Sequence, residues 1–144
     1  MKWPILSFVV ATVWVLTARP SPVAAAKKQP LLLVSGPTVV ALFPPVTDAE
    51  LKKDANTNEA LADFQFYAKR VREPLKDAGI EFHELYAPSF RVRDGKTVTT
   101  FRSVKGDIGY YFIRPDQKPR IEYGVMTDSD LLQVAREYFG RPAK

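Results

Sequence analysis

The chain has 144 residues, 46% of them hydrophobic and 26% charged, with a formal charge of +5 and no cysteine. That length suits one domain with its own core, and the balance of apolar and charged residues excludes a disordered chain. The absence of cysteine excludes disulfides, thiol catalysis, thiolate metal sites and lipid attachment through a lipobox cysteine. The mild positive charge fits solubility better than nucleic-acid binding.

Residues 1–26 read as a secretory signal peptide rather than as part of the fold. Lys2 supplies a short positive start, residues 3–18 form an apolar run, and Pro20 and Pro22 break it. Ala24-Ala25-Ala26 then offers the small residues a signal peptidase reads, so cleavage is expected near Ala26. The run is shorter than the roughly 20 apolar residues a spanning helix needs. The expected compartment is periplasmic or extracellular, with 27–144 as the mature domain. Membrane contact is then expected only through the leader before cleavage.

Residues 31–34 form a short apolar segment that suits an edge strand. Gly36-Pro37 turns the chain into 38–43, a run of consecutive apolar and β-branched residues closed by Pro44-Pro45. Such a run predicts a strand buried on both faces. Thr47 and Glu50 have capping-box spacing and predict a helix start. The polar stretch 52–58 interrupts the pattern. From Glu59, the residues Leu61, Phe64, Ala68, Val71 and Leu75 recur at steps of three and four, one apolar helical stripe. Pro74 lies inside that helix, where a kink is expected, and Gly79 closes it.

Residues 80–86 predict the next strand, with Ile80, Phe82, Glu84 and Tyr86 on one face and Glu81, His83 and Leu85 on the other. Residues 90–93 and 97–101 flank Asp94-Gly95, a type I′ turn signal, and predict a β-hairpin. Residues 109–114 and 120–126 predict a second hairpin across a proline-bounded turn. Thr127 then caps a helix whose apolar face is Leu131, Leu132, Ala135, Tyr138 and Phe139, ended by Gly140.

The order of these elements resembles the thioredoxin-like fold. The residues that carry the likeness are 38–43 for the central strand, Pro74 in the kinked helix, 80–86 for the next strand, and 109–140 for the closing hairpin and helix. The resemblance implies an α/β fold: a mixed sheet flanked by helices, here with an extra β-hairpin in place of a helix. It also implies a ligand-facing edge, where the loop after the central strand meets the loop before the closing hairpin. The redox chemistry of that family does not carry over. Residues 44–51 hold no Cys-x-x-Cys, and Gly109 stands where the family has a cis-proline. The implied binding residues are Phe43, Pro44, Pro45, Asp107, Gly109 and Tyr110, with no catalytic residue, no metal and no cofactor.

Three functions compete on these residues. The leading one is a non-catalytic thioredoxin-like module that binds an envelope protein or peptide. The second is a small envelope enzyme using His83, the single histidine, with a carboxylate such as Glu81, Asp48 or Asp107; a lone mid-strand histidine is more often structural. Asp48 and Glu50 are explained by helix capping without any activity. The third is a structural envelope protein whose basic hairpin region, Arg91, Arg93, Lys96, Arg102 and Lys105, meets anionic surfaces; an aggregation-resistant charged edge explains the same residues. Sequencing of the exported product is expected to begin at Lys27, and a membrane-bound chain still starting at Met1 would overturn the leader assignment.

Overall fold

A computed structural model describes residues 29–140 except 105 and 116. The expected signal peptide, 1–26, and Lys105 of the basic region lie outside the described residues. Among the described residues, seven strands and three helices follow one another as β1 (Leu31–Leu33), β2 (Thr38–Phe43), α1 (Asp48–Lys53), α2 (Ala55–Asp77), β3 (Glu81–Tyr86), β4 (Ser89–Asp94), β5 (Thr97–Arg102), β6 (Gly109–Ile113), β7 (Arg120–Tyr123) and α3 (Asp128–Phe139).

The strands form two sheets. The larger has the order β3-β2-β6-β7, with β2 parallel to β3 and antiparallel to β6, and β6 antiparallel to β7. The smaller has the order β1-β4-β5, with β1 parallel to β4 and β4 antiparallel to β5. β1 and β2 are consecutive in the chain but belong to different sheets. Ser35, Gly36 and Pro37 carry the backbone from one layer to the other.

Every residue of β2 is buried, because both faces of the larger sheet are covered. Val39, Ala41 and Phe43 meet the helical layer through Leu61, Phe64, Val71, Leu75, Leu131 and Ala135. The apolar stripe of α2 read from the sequence is its buried face. Val40 and Leu42 point the other way, into a second core with Val34, Ala87, Phe90, Val92, Tyr111 and Ile113. The α/β content is as expected, but the one mixed sheet flanked by helices is two sheets here: helices cover one face of the larger sheet and the small sheet covers the other. The extra hairpin is the greater part of that covering layer.

Each core is pinned by aromatic rings in the edge-to-face or offset arrangements that their quadrupoles favour. On the helical side Phe64 lies 5.3 Å from Phe43, 5.9 Å from Tyr86 and 6.0 Å from Tyr110. On the other side Phe90 stacks on Phe101 at 5.1 Å, and both meet the Tyr111 ring edge-on at 5.0 and 5.4 Å.

Helix ends follow local chemistry. Thr47 and Glu50 form a reciprocal capping box at α1. Asp54 ends α1 and accepts from the Asn56 amide to start α2, so the polar 52–58 stretch breaks the helix at one residue only. The helix runs through Pro74 to Asp77. The amides of Gly79 and Ile80 then bond back to Lys76 and Leu75, with Gly79 at φ 72°, the Schellman arrangement that satisfies the last carbonyls. Thr127 caps α3 through the Asp130 amide.

The first hairpin differs from its expected turn by one residue. Asp94 pairs with Thr97, so the two-residue loop is Gly95-Lys96, not Asp94-Gly95. The left-handed φ of 56° falls at Gly95, which leaves Asp94 free to extend the strand.

Gly109 has a steric reason to be glycine. A Cβ there would lie 2.7 Å from Cε2 of the Tyr111 ring, and that ring packs edge-on against both Phe90 and Phe101. Gly109→Ala is expected to cost about 1–3 kcal/mol by overpacking. Chemical denaturation checks this, and an unchanged midpoint would show that Tyr111 has room to move.

Candidate functional site

The carboxyl end of β2 opens into a groove of about 310 Å³. Its walls are the loop after β2 with Pro44 and Val46, the first turns of α2 with Thr57 and Ala60, the loop before β6 with Gly106, Asp107 and Ile108, and the loop after β7 with Gly124 and Val125. Phe43 forms the floor and is only 2% exposed. Most of the lining is apolar. Asp107 contributes a carboxylate and Thr57 a hydroxyl, though that hydroxyl already donates to the Asp54 carboxylate at 2.6 Å.

Backbone bonds hold these loops in place. The Asp107 amide donates to the Val104 carbonyl, and the Ser103 hydroxyl donates to the Asp107 carbonyl at 3.0 Å. The Gly124 amide donates to the Ile108 carbonyl at 2.9 Å, at a φ of 91° that only glycine adopts without strain. The chain thereby turns back toward the groove, where Val125 stands 40% exposed. The Met126 amide donates to the Tyr110 hydroxyl at 3.4 Å, which ties this wall to the core.

The six residues singled out from the sequence divide into three sets. Phe43, Pro44 and Asp107 line the groove together. Pro45 is exposed next to it. Gly109 and Tyr110 are buried behind it. Pairing of Leu42 with Gly109 across β2 and β6 brings the two loops side by side. Neither Phe43 nor Tyr110, two of the implied binding residues, presents an exposed ring. Both side chains face the helical layer and are consumed by the core. The reachable apolar groups are Pro44, Val46, Ala60 and Val125. Of these, Val46, Ala60 and Val125, with Thr57, were not singled out from the sequence. The only local signal was Gly124 after the last strand.

His83 lies elsewhere. It lies on β3, an edge strand of the larger sheet, where it pairs with Val40, on the face away from the helices and the groove. Its Nε2 is 3.0 Å from Glu81 Oε1, yet that atom is buried and has no hydrogen-bond partner. The two atoms are close but not aligned for a proton to pass. Asp107 and Asp48 are not brought to it. Asp48 opens α1, and the Thr47–Glu50 box already uses that helix start. Among the described residues no group of histidine, aspartate and glutamate is placed to hold a metal ion.

Comparison of the chain with protein-family models, with curated proteins and with solved structures finds no match. The functional reading therefore rests on the geometry.

Two buried tyrosines of β6 supply a pH signature. Burial pushes Tyr110 and Tyr111 from the ordinary value of 10.0 up to about 12. Between these values the folded protein keeps phenolic protons that the unfolded chain has lost. Stability is then fully present below pH 10 and falls as the pH rises toward 12. Denaturant unfolding stepped across that window should show the decline, with delayed tyrosinate absorbance in the folded protein. A flat stability profile would show that both hydroxyls reach water.

Proposed function

We infer that the protein is a non-catalytic thioredoxin-like module of the bacterial envelope or exterior that holds an extended protein or peptide segment in the groove at the end of β2. One observation carries this reading: the loop after the central strand and the loop before β6 converge on an apolar groove with a single carboxylate. Open α/β sheets bind ligands at the carboxyl end of central strands, where neighbouring connections diverge. Here β2 sits between a parallel partner reached through α2 and an antiparallel partner that arrives from the small sheet.

The thioredoxin-like part of the reading is supported by the larger sheet. Its four strands, taken in chain order, stand second-first-third-fourth, with the third and fourth antiparallel, helices connecting the first to the second, and a helix after the fourth. The groove lies where that fold places its reactive loop. Its chemistry here is different: no thiol, no aligned acid–base pair, and mostly apolar walls. A side chain of modest size can leave water there, and a neighbouring lysine or arginine can meet Asp107. Export of the mature domain after cleavage near Ala26 remains part of this reading.

A panel of short extended peptides, titrated while backbone amides are observed by NMR, tests it. Peptides with an aliphatic residue beside a lysine or arginine should shift Val46, Asp107 and Val125. Val125→Glu should weaken binding about tenfold or more, one decade being 1.4 kcal/mol, because it puts a charge against an apolar ligand. Asp107→Asn should remove the preference for cationic peptides and leave apolar binding in place. Shifts elsewhere, or affinities indifferent to Val125→Glu, would overturn the assignment.

A further inference from the structure

The outward face of the small sheet is a separate surface, and its composition is unusual. Register places three rows of side chains on it: Leu31, Arg91 and Thr100; Leu33, Arg93 and Val98; and Ser89 with Arg102. Alternation agrees with burial, since Leu32, Phe90, Val92 and Phe101 point inward to the core. Leu33 is 69% exposed, Val98 45% and Leu31 38%. No acidic residue occupies any of these positions. No ion pair among the described residues involves Arg91, Arg93 or Arg102. Lys96 adds a further cation in the turn beside Arg93.

Two of these arginines are not on a sheet edge. Arg91 and Arg93 belong to β4, the middle strand, paired on both sides. Protection of an unpaired edge from aggregation therefore does not account for them. Exposed leucine on β1 is also the opposite of what edge protection requires.

We propose that this face docks on an anionic lipid bilayer, with the arginines at the headgroup phosphates and Leu31, Leu33 and Val98 entering the boundary of the acyl chains. Charge complementarity argues for the occupant: three unpaired guanidinium groups and no carboxylate. Long arginine side chains lay their stems along apolar surface and keep the charged end at the phosphates. Interfacial binding combines apolar area with attraction to anionic lipid. A flat sheet face needs no shape-matched partner for this. Duplex or single-stranded nucleic acid would leave the leucines unused, and the face offers no aromatic ring for bases to stack on. The inference is independent of the peptide groove, which lies on the helical side of the larger sheet. It also replaces the expectation that membrane contact is confined to the leader.

The test is co-sedimentation of the protein as isolated with vesicles of phosphatidylcholine alone and of phosphatidylcholine with phosphatidylglycerol. All variants share one chain background, so any contribution from other segments is common to them. Binding should require phosphatidylglycerol and weaken with added salt, since exposed charges are screened over about 10 Å at 0.1 M. Arg91→Gln and Arg93→Gln should each lower the partition coefficient about fivefold. Leu33→Ser should lower it further at unchanged charge. Lys52→Gln with Lys53→Gln, an equal loss of charge on α1, should leave it unchanged. Equal binding to neutral vesicles, or an equal loss in the α1 pair, would overturn the proposal. So would preferential binding of an acidic peptide or DNA duplex, or a dimer that Leu33→Ser dissociates without altering vesicle binding. Circular dichroism melts of each variant separate loss of binding from loss of fold.

Discussion

The structure depends on a strand that has no solvent side. Thr38–Phe43 alternates its side chains between two cores, and all six residues are buried. A strand of that kind is stable only if something apolar covers each face of its sheet. Its neighbours supply this from opposite directions. Most of the helical layer is local in sequence, since α1 and α2 directly follow β2, while α3 joins it from the far end of the described chain. The small sheet is assembled from β1, which precedes the strand, and β4 and β5, which come after the helix and the next strand. The one buried polar side chain in β2, Thr38, satisfies itself by donating to the Gly36 carbonyl at 3.0 Å. The crossing between the two sheets therefore leaves that hydroxyl bonded.

This division explains what could be read from the residues. The stripe Leu61, Phe64, Ala68, Val71 and Leu75 is periodic, and periodicity is a local property. So are the Thr47 and Thr127 caps and the Gly79 stop. The alternation of β6, with Tyr110 and Phe112 toward the helices and Tyr111 and Ile113 toward the small sheet, follows from the two-residue period. The parallel pairing of Leu31–Leu33 with Arg91–Arg93 is different. It joins segments about sixty positions apart, and nothing in either segment names the other. Without it the hairpin reads as an appendage and the second face of the sheet lacks its cover. The turn error has a smaller cause: Asp94-Gly95 and Gly95-Lys96 both place glycine where a left-handed φ is accepted, and only the strand register decides between them.

The site was legible to the same degree. Position in the chain located the loops, because the residues after a central strand and before its antiparallel partner must meet when Leu42 pairs with Gly109. Exposure was not legible. Phe43 and Tyr110 are large and lie beside the site, but their faces belong to the helical layer and Phe64 takes both rings. The groups left for a ligand are smaller and come from four separate segments. Val125 reaches the groove only because the backbone reverses at Gly124. Thr57 and Ala60 reach it because α2 starts anew at Asp54 instead of continuing α1.

The start of α1 limits what the groove can do chemically. In an enzyme that uses the loop after a central strand, free amides at the helix start stabilise negative charge on a reacting atom or a bound anion. Here Thr47 Oγ1 accepts from the Glu50 amide, the Glu50 carboxylate accepts from the Thr47 amide at 2.7 Å, and the Leu51 amide bonds to the Thr47 carbonyl. These hydrogen bonds hold the Glu50 carboxyl below its ordinary value, so a negative charge already stands at that end. Asp107 adds another at the groove itself. An anion arriving at the end of β2 meets the Asp107 carboxylate in the groove, with the Glu50 charge at the helix start beyond it, whereas an aliphatic side chain meets Pro44, Val46, Ala60 and Val125. The selectivity proposed for the groove, an apolar segment with a neighbouring cation, thus rests on the way the helix is capped as much as on the shape of the groove.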